Sequence, residues 1–242
     1  MDKKMSKVVA ILTAGGTGTR THQDIPKQFI HVNNKPIIIY TLEAFQKHPS
    51  IDEICVSILE GWDQVLWAYA KQFNITKLKY VVLGGASGQE SIYNGLKAVK
   101  DNVKDDDIIM IHDGNRPMLE SDIITDNLVK QRKYGSAVAA IPCTEVVFVS
   151  NDKIEGQKSI PRETLLRTQT PHSYYFGDLW NAHSQAKEQG INNTAASCEL
   201  MEKLGHSTYF SKGSEKNLKI TTVEDIEIFK SLLTSKNEDW IK

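Results

Sequence analysis

Between residues 10 and 28 the chain reads AILTAGGTGTRTHQDIPKQ, a loop of glycine and threonine closed by Arg20 and followed by Lys27. Gly15, Gly16 and Gly18 carry no Cβ, so the backbone there can take positive φ and lie close to a ligand. Backbone N–H groups gathered in such a turn form a concavity that binds anions. Arg20 adds a planar, forked cation and Lys27 a point charge. Together they suit a triphosphate. The loop is not a P-loop, because no Gly-Lys-Ser/Thr triplet closes it. Nor is it a dinucleotide fingerprint, because Thr21 stands where the third glycine belongs.

A second reactive stretch is 108–117, IIMIHDGNRP. A buried strand here runs directly into His112 and Asp113. A carboxylate at a strand's carboxyl end, facing a phosphate loop, is placed to hold Mg²⁺ against phosphate oxygens. Arg116, three residues on, can pair with a second anionic group, whereas His112 reads as structural. Residues 84–91, GGASGQES, form another glycine loop ahead of a helix. Ser91 in that helix's first turn can hydrogen-bond a base or ribose, and Ser87 can cap the helix.

These loops need a scaffold that brings them together. Short apolar runs at 8–12, 53–59, 78–83, 108–112 and 136–142 read as buried strands. Amphipathic segments at 36–47, 62–72, 87–100 and 121–133 read as helices. Such alternation predicts an α/β fold with a mostly parallel sheet covered on both faces. Ligands of such sheets gather at the carboxyl ends of the strands, so the loops after Leu12, Leu83 and Ile111 should meet in one crevice. Residues 145–160, EVVFVSNDKIEGQKSI, change pattern and predict a β-hairpin or arm leaving the sheet. We read it as an intersubunit arm. Helices are expected at about 176–189 and 195–204 and a short strand around 208–210. A last helix should begin at Thr222, capped with Glu224 or Asp225. No repeat or linker divides the 242 residues, which predicts one domain over 1–242.

Composition bounds the function. Hydrophobic residues make up 40% and charged residues 24%, and the net charge is −1. That balance argues against a general nucleic-acid or membrane-surface binder. No stretch is long enough to span a bilayer, and the first apolar run is too short for a signal peptide. Cys55, Cys143 and Cys198 are odd in number and lack metal or CxxC spacing, which fits a reducing, cytoplasmic location.

The motifs AGGTGTR…PKQF, GGA…SI, HD-x-x-RP, R-x-x-L…QTP and NLKIT occur in one order over nearly the whole chain. In this the chain resembles the cytidylyltransferase family that includes 2-C-methyl-D-erythritol 4-phosphate cytidylyltransferase and D-ribitol-5-phosphate cytidylyltransferase. The resemblance implies a Rossmann-like nucleotidyltransferase, a homodimer clasped by the arm, that transfers CMP from CTP to a polyol phosphate and releases pyrophosphate. It implies that Arg20, Lys27 and Lys219 act on the phosphates. Ala14, Gly15, Gly16, Thr17 and Gly18 would cradle the nucleotide, Gly85 and Ser91 would lie near the cytosine, and Asp113 would hold Mg²⁺. Arg162 and Thr170 match positions that hold the acceptor's phosphate, and Arg116 one that reaches a neighbouring acceptor or arm.

Departures from the family pattern fall away from CTP. Ser87 and Gly88 replace Asp or Glu then Arg, and Glu145-Val146-Val147 replaces Asp-Thr-Ile in the arm. Thr194-Ala195-Ala196 replaces Thr-Asp-Asp/Glu, and Lys216 stands where a second metal-binding Asp sometimes does. A methylerythritol pocket should keep the arm's Asp-Thr pair, so ribitol 5-phosphate or a similar polyol phosphate is the preferred acceptor. The alternatives are 2-C-methyl-D-erythritol 4-phosphate and a degenerate member that only binds nucleotide.

Overall fold

Residues 6–16 and 25–235 are described by the computed structural model. The apolar run that enters the glycine loop forms β1 (Val8–Ala14), buried at every position but Thr13. Parallel to it on either side lie β4 (Glu53–Ile58) and β6 (Ile108–Asp113). Outside β4 comes β5 (Leu78–Leu83), also parallel. On the far side of β6 lie β10 (Leu166–Tyr175), β7 (Ser136–Pro142) and β11 (Phe210–Lys212). The order across the sheet is β11-β7-β10-β6-β1-β4-β5. Only β10 runs against its neighbours β6 and β7. The expected mostly parallel α/β sheet is present, with one antiparallel strand inserted that the alternating pattern did not announce.

Alternation of side chains along β1 divides the core. Val8, Ala10 and Leu12 pack beneath α1 (Ile37–Lys47), α2 (Asp63–Gln72) and α4 (Ser121–Tyr134). Val9 and Ile11 face α3 (Gly88–Val99), α5 (Phe176–Glu188) and Met201 of α6 (Ser197–Lys203). Gly95 lets α3 lie close on β1, since a Cβ there would stand 2.6 Å from Ile11 Cγ2. A third cluster seats α7 (Val223–Ser235) through Ile226 and Phe229 on Val32, Ile37, Met118 and Ile220. Its cap is reciprocal, as expected. Asp225 N–H donates to Thr222 Oγ1 (3.3 Å), and Thr222 N–H donates to Asp225 Oδ2 (2.8 Å).

Two small hairpins stand apart from the main sheet. β2 (His31–Val32) and β3 (Lys35–Pro36) turn through Asn33 and Asn34, both at positive φ (50° and 62°). Two such residues are what a tight, primed hairpin turn requires. β8 (Val147–Val149) pairs with β9 (Lys158–Ile160) to form the expected arm. Val146, Phe148 and Ile154 are exposed on it, at 70%, 57% and 91%. Among the described residues no helix is long and apolar enough to cross a membrane.

Candidate functional site

The carboxyl ends of β1, β5 and β6 open onto one cavity of about 480 Å³. Ala14, Gly15 and Gly16 border it from the first glycine loop, and Lys27 from the turn that follows. Gly85 and Ser91 border it from the second loop. The predicted convergence of the three loops is therefore present. Thr17, Gly18 and Arg20 lie outside the described residues. Asp113, Arg116, Thr170 and Lys219 close the opposite side. Arg162 is not among the bordering residues. It donates weakly to Thr144 O (3.4 Å) and pairs with Glu163 (3.6 Å) at the base of the arm.

The first loop is held by a residue that motif reading passed over. Gln28, 2% exposed, donates from Nε2 to Ala14 O (2.6 Å) and to Gly16 O (3.3 Å). Next to it Phe29 is buried and stacks on Trp62 at 4.5 Å. Lys27 thus sits in a 3-10 turn (Lys27–Phe29) whose two following side chains are locked into the body of the protein. The two glycine loops meet backbone to backbone, and a Cβ on Gly84 would come within 3.2 Å of Gly15 Cα. Ser91 shapes the second loop. Its Oγ accepts from Gly85 N–H (3.0 Å) and donates to Ser87 O (2.9 Å). With its proton so directed, the Ser91 oxygen faces a ligand as an acceptor. Ser87 caps α3, its Oγ accepting from Glu90 N–H (3.1 Å), as the sequence predicts.

Asp113 is the electrostatic centre. Its Oδ2 accepts from Arg116 Nε (2.8 Å) and its Oδ1 from Lys219 Nζ (2.9 Å). Burial alone would raise its pKa, but the Lys219 and Arg116 charges outweigh that and hold the carboxyl well below the usual range. The register of β10 breaks between Thr168 and His172. Within that break Thr170 Oγ1 receives the Asp113 N–H (3.1 Å). Lys219 is brought in by a seam of backbone contacts. Arg116 Nη1 donates to Asn217 O (2.7 Å), Asn217 Nδ2 to Thr170 O (2.8 Å), and Ile220 N–H to Asn115 O (2.9 Å). Asn217, fully buried, is the other residue the sequence did not single out; its signal was its place at the head of NLKIT.

Three histidines surround the site and stay neutral. His112 lies behind Asp113 against Phe45 and contacts Arg116 O (3.3 Å). Along the cavity wall, His172 Nδ1 bonds Ser197 Oγ (2.7 Å), and His183 stacks on Tyr93 at 5.7 Å. Burial pushes them down to about 3, about 4 and about 4 respectively. Unfolded, each takes a proton below its ordinary value of 6.5. Folded, they resist protonation until the lower values, so stability is lost as pH falls through that window. The melting temperature should drop steeply from pH 6.5 toward 4. His183→Phe should flatten that slope in a calorimetric pH series, and an unchanged slope would refute the assignment.

A mostly parallel α/β sheet carries two glycine loops, a half-buried carboxylate and two lysines at one strand-end cavity, the arrangement of a Rossmann-like nucleotidyltransferase. The model of the IspD family, 2-C-methyl-D-erythritol 4-phosphate cytidylyltransferase, matches residues 8–235, and the chain belongs to this family. It is 42% identical over 231 residues to a ribitol-5-phosphate cytidylyltransferase of Lacticaseibacillus paracasei, covering 95% of this chain and 99% of that protein. A 2-C-methyl-D-erythritol 4-phosphate cytidylyltransferase of Clostridium tetani is 36% identical, with 92% and 89% covered. The crystal structure of the 4-diphosphocytidyl-2C-methyl-D-erythritol synthase of Anaerococcus prevotii superposes with a TM-score of 0.81 at 21% identity, covering 95% and 99%. That likeness extends to the fold.

Proposed function

We propose that the protein transfers CMP from CTP to D-ribitol 5-phosphate, or to a closely similar polyol phosphate, giving a CDP-polyol and pyrophosphate. The observation that carries this is the sharing of one cavity by Lys27, Lys219, Asp113 and both glycine loops. Identity of 42% to a ribitol-5-phosphate cytidylyltransferase, against 36% to the methylerythritol enzyme, favours the polyol. So does Val146 in the arm, which lacks a hydroxyl for that acceptor.

An oxygen of the acceptor's phosphate attacks the α-phosphorus of CTP. The bond from that phosphorus to the α–β bridging oxygen breaks, and pyrophosphate leaves with the electron pair. No covalent enzyme intermediate is needed; alignment and charge neutralisation carry the rate. The backbone of Gly15 and Gly16 cradles the triphosphate, and Lys27 meets the charge that develops on it. Ser91 accepts from the cytosine amino group. Arg20, in the same loop, adds a second cation. Lys219 orients the acceptor phosphate.

A divalent cation fits this donor set. Asp113 offers an ionised carboxylate on the cavity, and Mg²⁺ ordinarily takes one or two carboxylates together with substrate phosphates. Among the described residues no cluster of three or more His, Cys, Asp or Glu would hold it without the nucleotide. When bound there, the ion would neutralise phosphate charge and polarise the reacting phosphoryl group. The three cysteines, none paired, suit a reducing cytoplasm.

The test is pyrophosphate release with CTP over a panel containing ribitol 5-phosphate, other pentitol phosphates and 2-C-methyl-D-erythritol 4-phosphate. Preference for the methylerythritol substrate would replace this reading with the family's other activity. CTP binding without turnover on any acceptor would mark a nucleotide-binding relic.

The arm is proposed to clasp a second copy, with Arg162 at its base meeting the acceptor phosphate. Val146, Phe148 and Ile154, exposed on a hairpin paired only with itself, support this. Replacing residues 145–160 by a short Gly-Ser link should convert a dimer to monomers on a sizing column. A dimer that survives the replacement would reject the clasp.

A further inference from the structure

Gln89 stands in the first turn of α3, beside the second glycine loop, and its side-chain amide is engaged at both ends. Its Nε2 donates to Ile191 O (2.8 Å). Its Oε1 accepts from Thr194 N–H (3.0 Å) and from Thr194 Oγ1 (3.0 Å). The loop it reaches, 191–196, joins α5 to α6 and places Thr194, Ala195 and Ala196 on the cavity wall. The loop's other hydrogen bonds hold it to its own flanking helices, Ile191 N–H to Ala186 O (2.8 Å) and Ala195 N–H to Glu199 Oε2 (2.7 Å). Among the described residues, its tie to the nucleotide side of the site is Gln89.

The tie stands where two departures from the family pattern meet. Gly88 replaces an arginine and has open space where a Cβ would project. Ala195 and Ala196 replace acidic residues on the facing loop. Orientation follows as well. Thr194 is 6% exposed, and its hydroxyl proton points to Gln89. The same oxygen therefore offers lone pairs to the cavity, which receive an O–H donor and repel the oxygens of an ionised phosphate.

We propose that Gln89 is a positioning residue that fixes the acceptor-side wall to the nucleotide loop and turns the Thr194 hydroxyl into an acceptor for a hydroxyl of the polyol chain. The second half rests on the reading of the acceptor given above. Gln89 itself touches no reacting atom; it acts through Thr194.

Two variants of the full chain test this. Gln89→Ala, at a partly exposed helix position that alanine suits, should quicken amide exchange in 191–196 and raise the KM for ribitol 5-phosphate, each about tenfold, the scale of losing such buried bonds. The KM for CTP should stay within about twofold of the unaltered enzyme, because both ends of the Gln89 amide are taken up by Ile191 and Thr194 although the residue borders the cavity. Thr194→Val keeps the shape of the residue and the Thr194 N–H bond to Gln89 and removes only the hydroxyl. It should raise the KM for ribitol 5-phosphate about as much as Gln89→Ala while leaving amide exchange in 191–196 within about threefold of the unaltered protein. Unchanged exchange in Gln89→Ala would overturn the tie. Equal rises in both KM values, or a Thr194→Val variant whose KM for ribitol 5-phosphate is unchanged, would overturn the route through Thr194. If the unaltered enzyme turns over no polyol phosphate, the acceptor reading fails, and exchange still decides the tie.

Discussion

Lys27→Ala should lower kcat about 10²- to 10³-fold, the range found when one donor to a developing anion is removed, while CTP affinity changes little. The reason lies in how the lysine is mounted. Gln28 and Phe29 anchor the turn independently, one through Ala14 O and Gly16 O, the other by stacking on Trp62. Removing the Lys27 side chain leaves the glycine cradle standing, so ground-state binding survives. What is lost is the charge that counts most as the α-phosphorus becomes five-coordinate, and such an interaction appears in kcat rather than in binding. Steady-state kinetics beside calorimetric titration of CTP separates the two. Equal losses in turnover and affinity would show that Lys27 serves binding alone.

Asp113→Asn should be at least as damaging, with kcat/KM down about 10³-fold, equivalent to several kcal/mol of charge stabilisation. In the native protein both carboxylate oxygens are engaged by cations, Lys219 at 2.9 Å and Arg116 at 2.8 Å. The amide would present an NH₂ group to one of them and offer a divalent ion a much poorer ligand. Manganese binding in the presence of CTP, followed by paramagnetic relaxation, should weaken in parallel. Manganese binding equal to that of the unaltered protein would remove Asp113 from the metal's shell. Stability supplies a separate check. The native carboxyl titrates below its ordinary 3.8, so its contribution is present above that pH and is lost as pH falls through the folded value. The gap in melting temperature between native protein and variant should hold from pH 8 to 5 and close below about 3.8. A gap that persists in acid would mean that the loss is one of packing.

Much of this was legible in the residues because the physics is local. Buried parallel strands read as unbroken apolar runs, as β1 and β6 do. β5 and β7 fall where the runs at 78–83 and 136–142 place them. However, β5 is the sheet's edge and only Leu78 of it is buried, so the expectation of a buried strand there is corrected. The reciprocal cap at Thr222 and Asp225 is likewise a matter of three residues. What the sequence hid depends on distant partners. β10 carries Arg, Gln, His and two Thr among its ten residues, a poor apolar signal, because it forms part of the cavity wall and bends at Thr170. β11 begins two residues later than the expected strand, at Phe210, where pairing with Val138 fixes its register. Gln28 and Asn217 lie inside the PKQF and NLKIT motifs, but the motifs did not announce what these side chains do, and Gln89 gave no signal of its own. Each acts by hydrogen-bonding backbone or a hydroxyl across a gap in sequence, and such geometry exists only once the chain has closed on itself.

The seam that delivers Lys219 bears on when the protein becomes competent. Lys219 and Asp113 are 106 residues apart, and Asn217 and Ile220 grip the turn after β6 from the same late segment. During synthesis the sheet's central strands can pair long before that segment leaves the ribosome. Asp113 then waits with Arg116 beside it but without Lys219. Chemistry at this centre is thereby deferred until residues 217–220 have been made, so a chain stalled or released before them holds the scaffold of the site without Lys219.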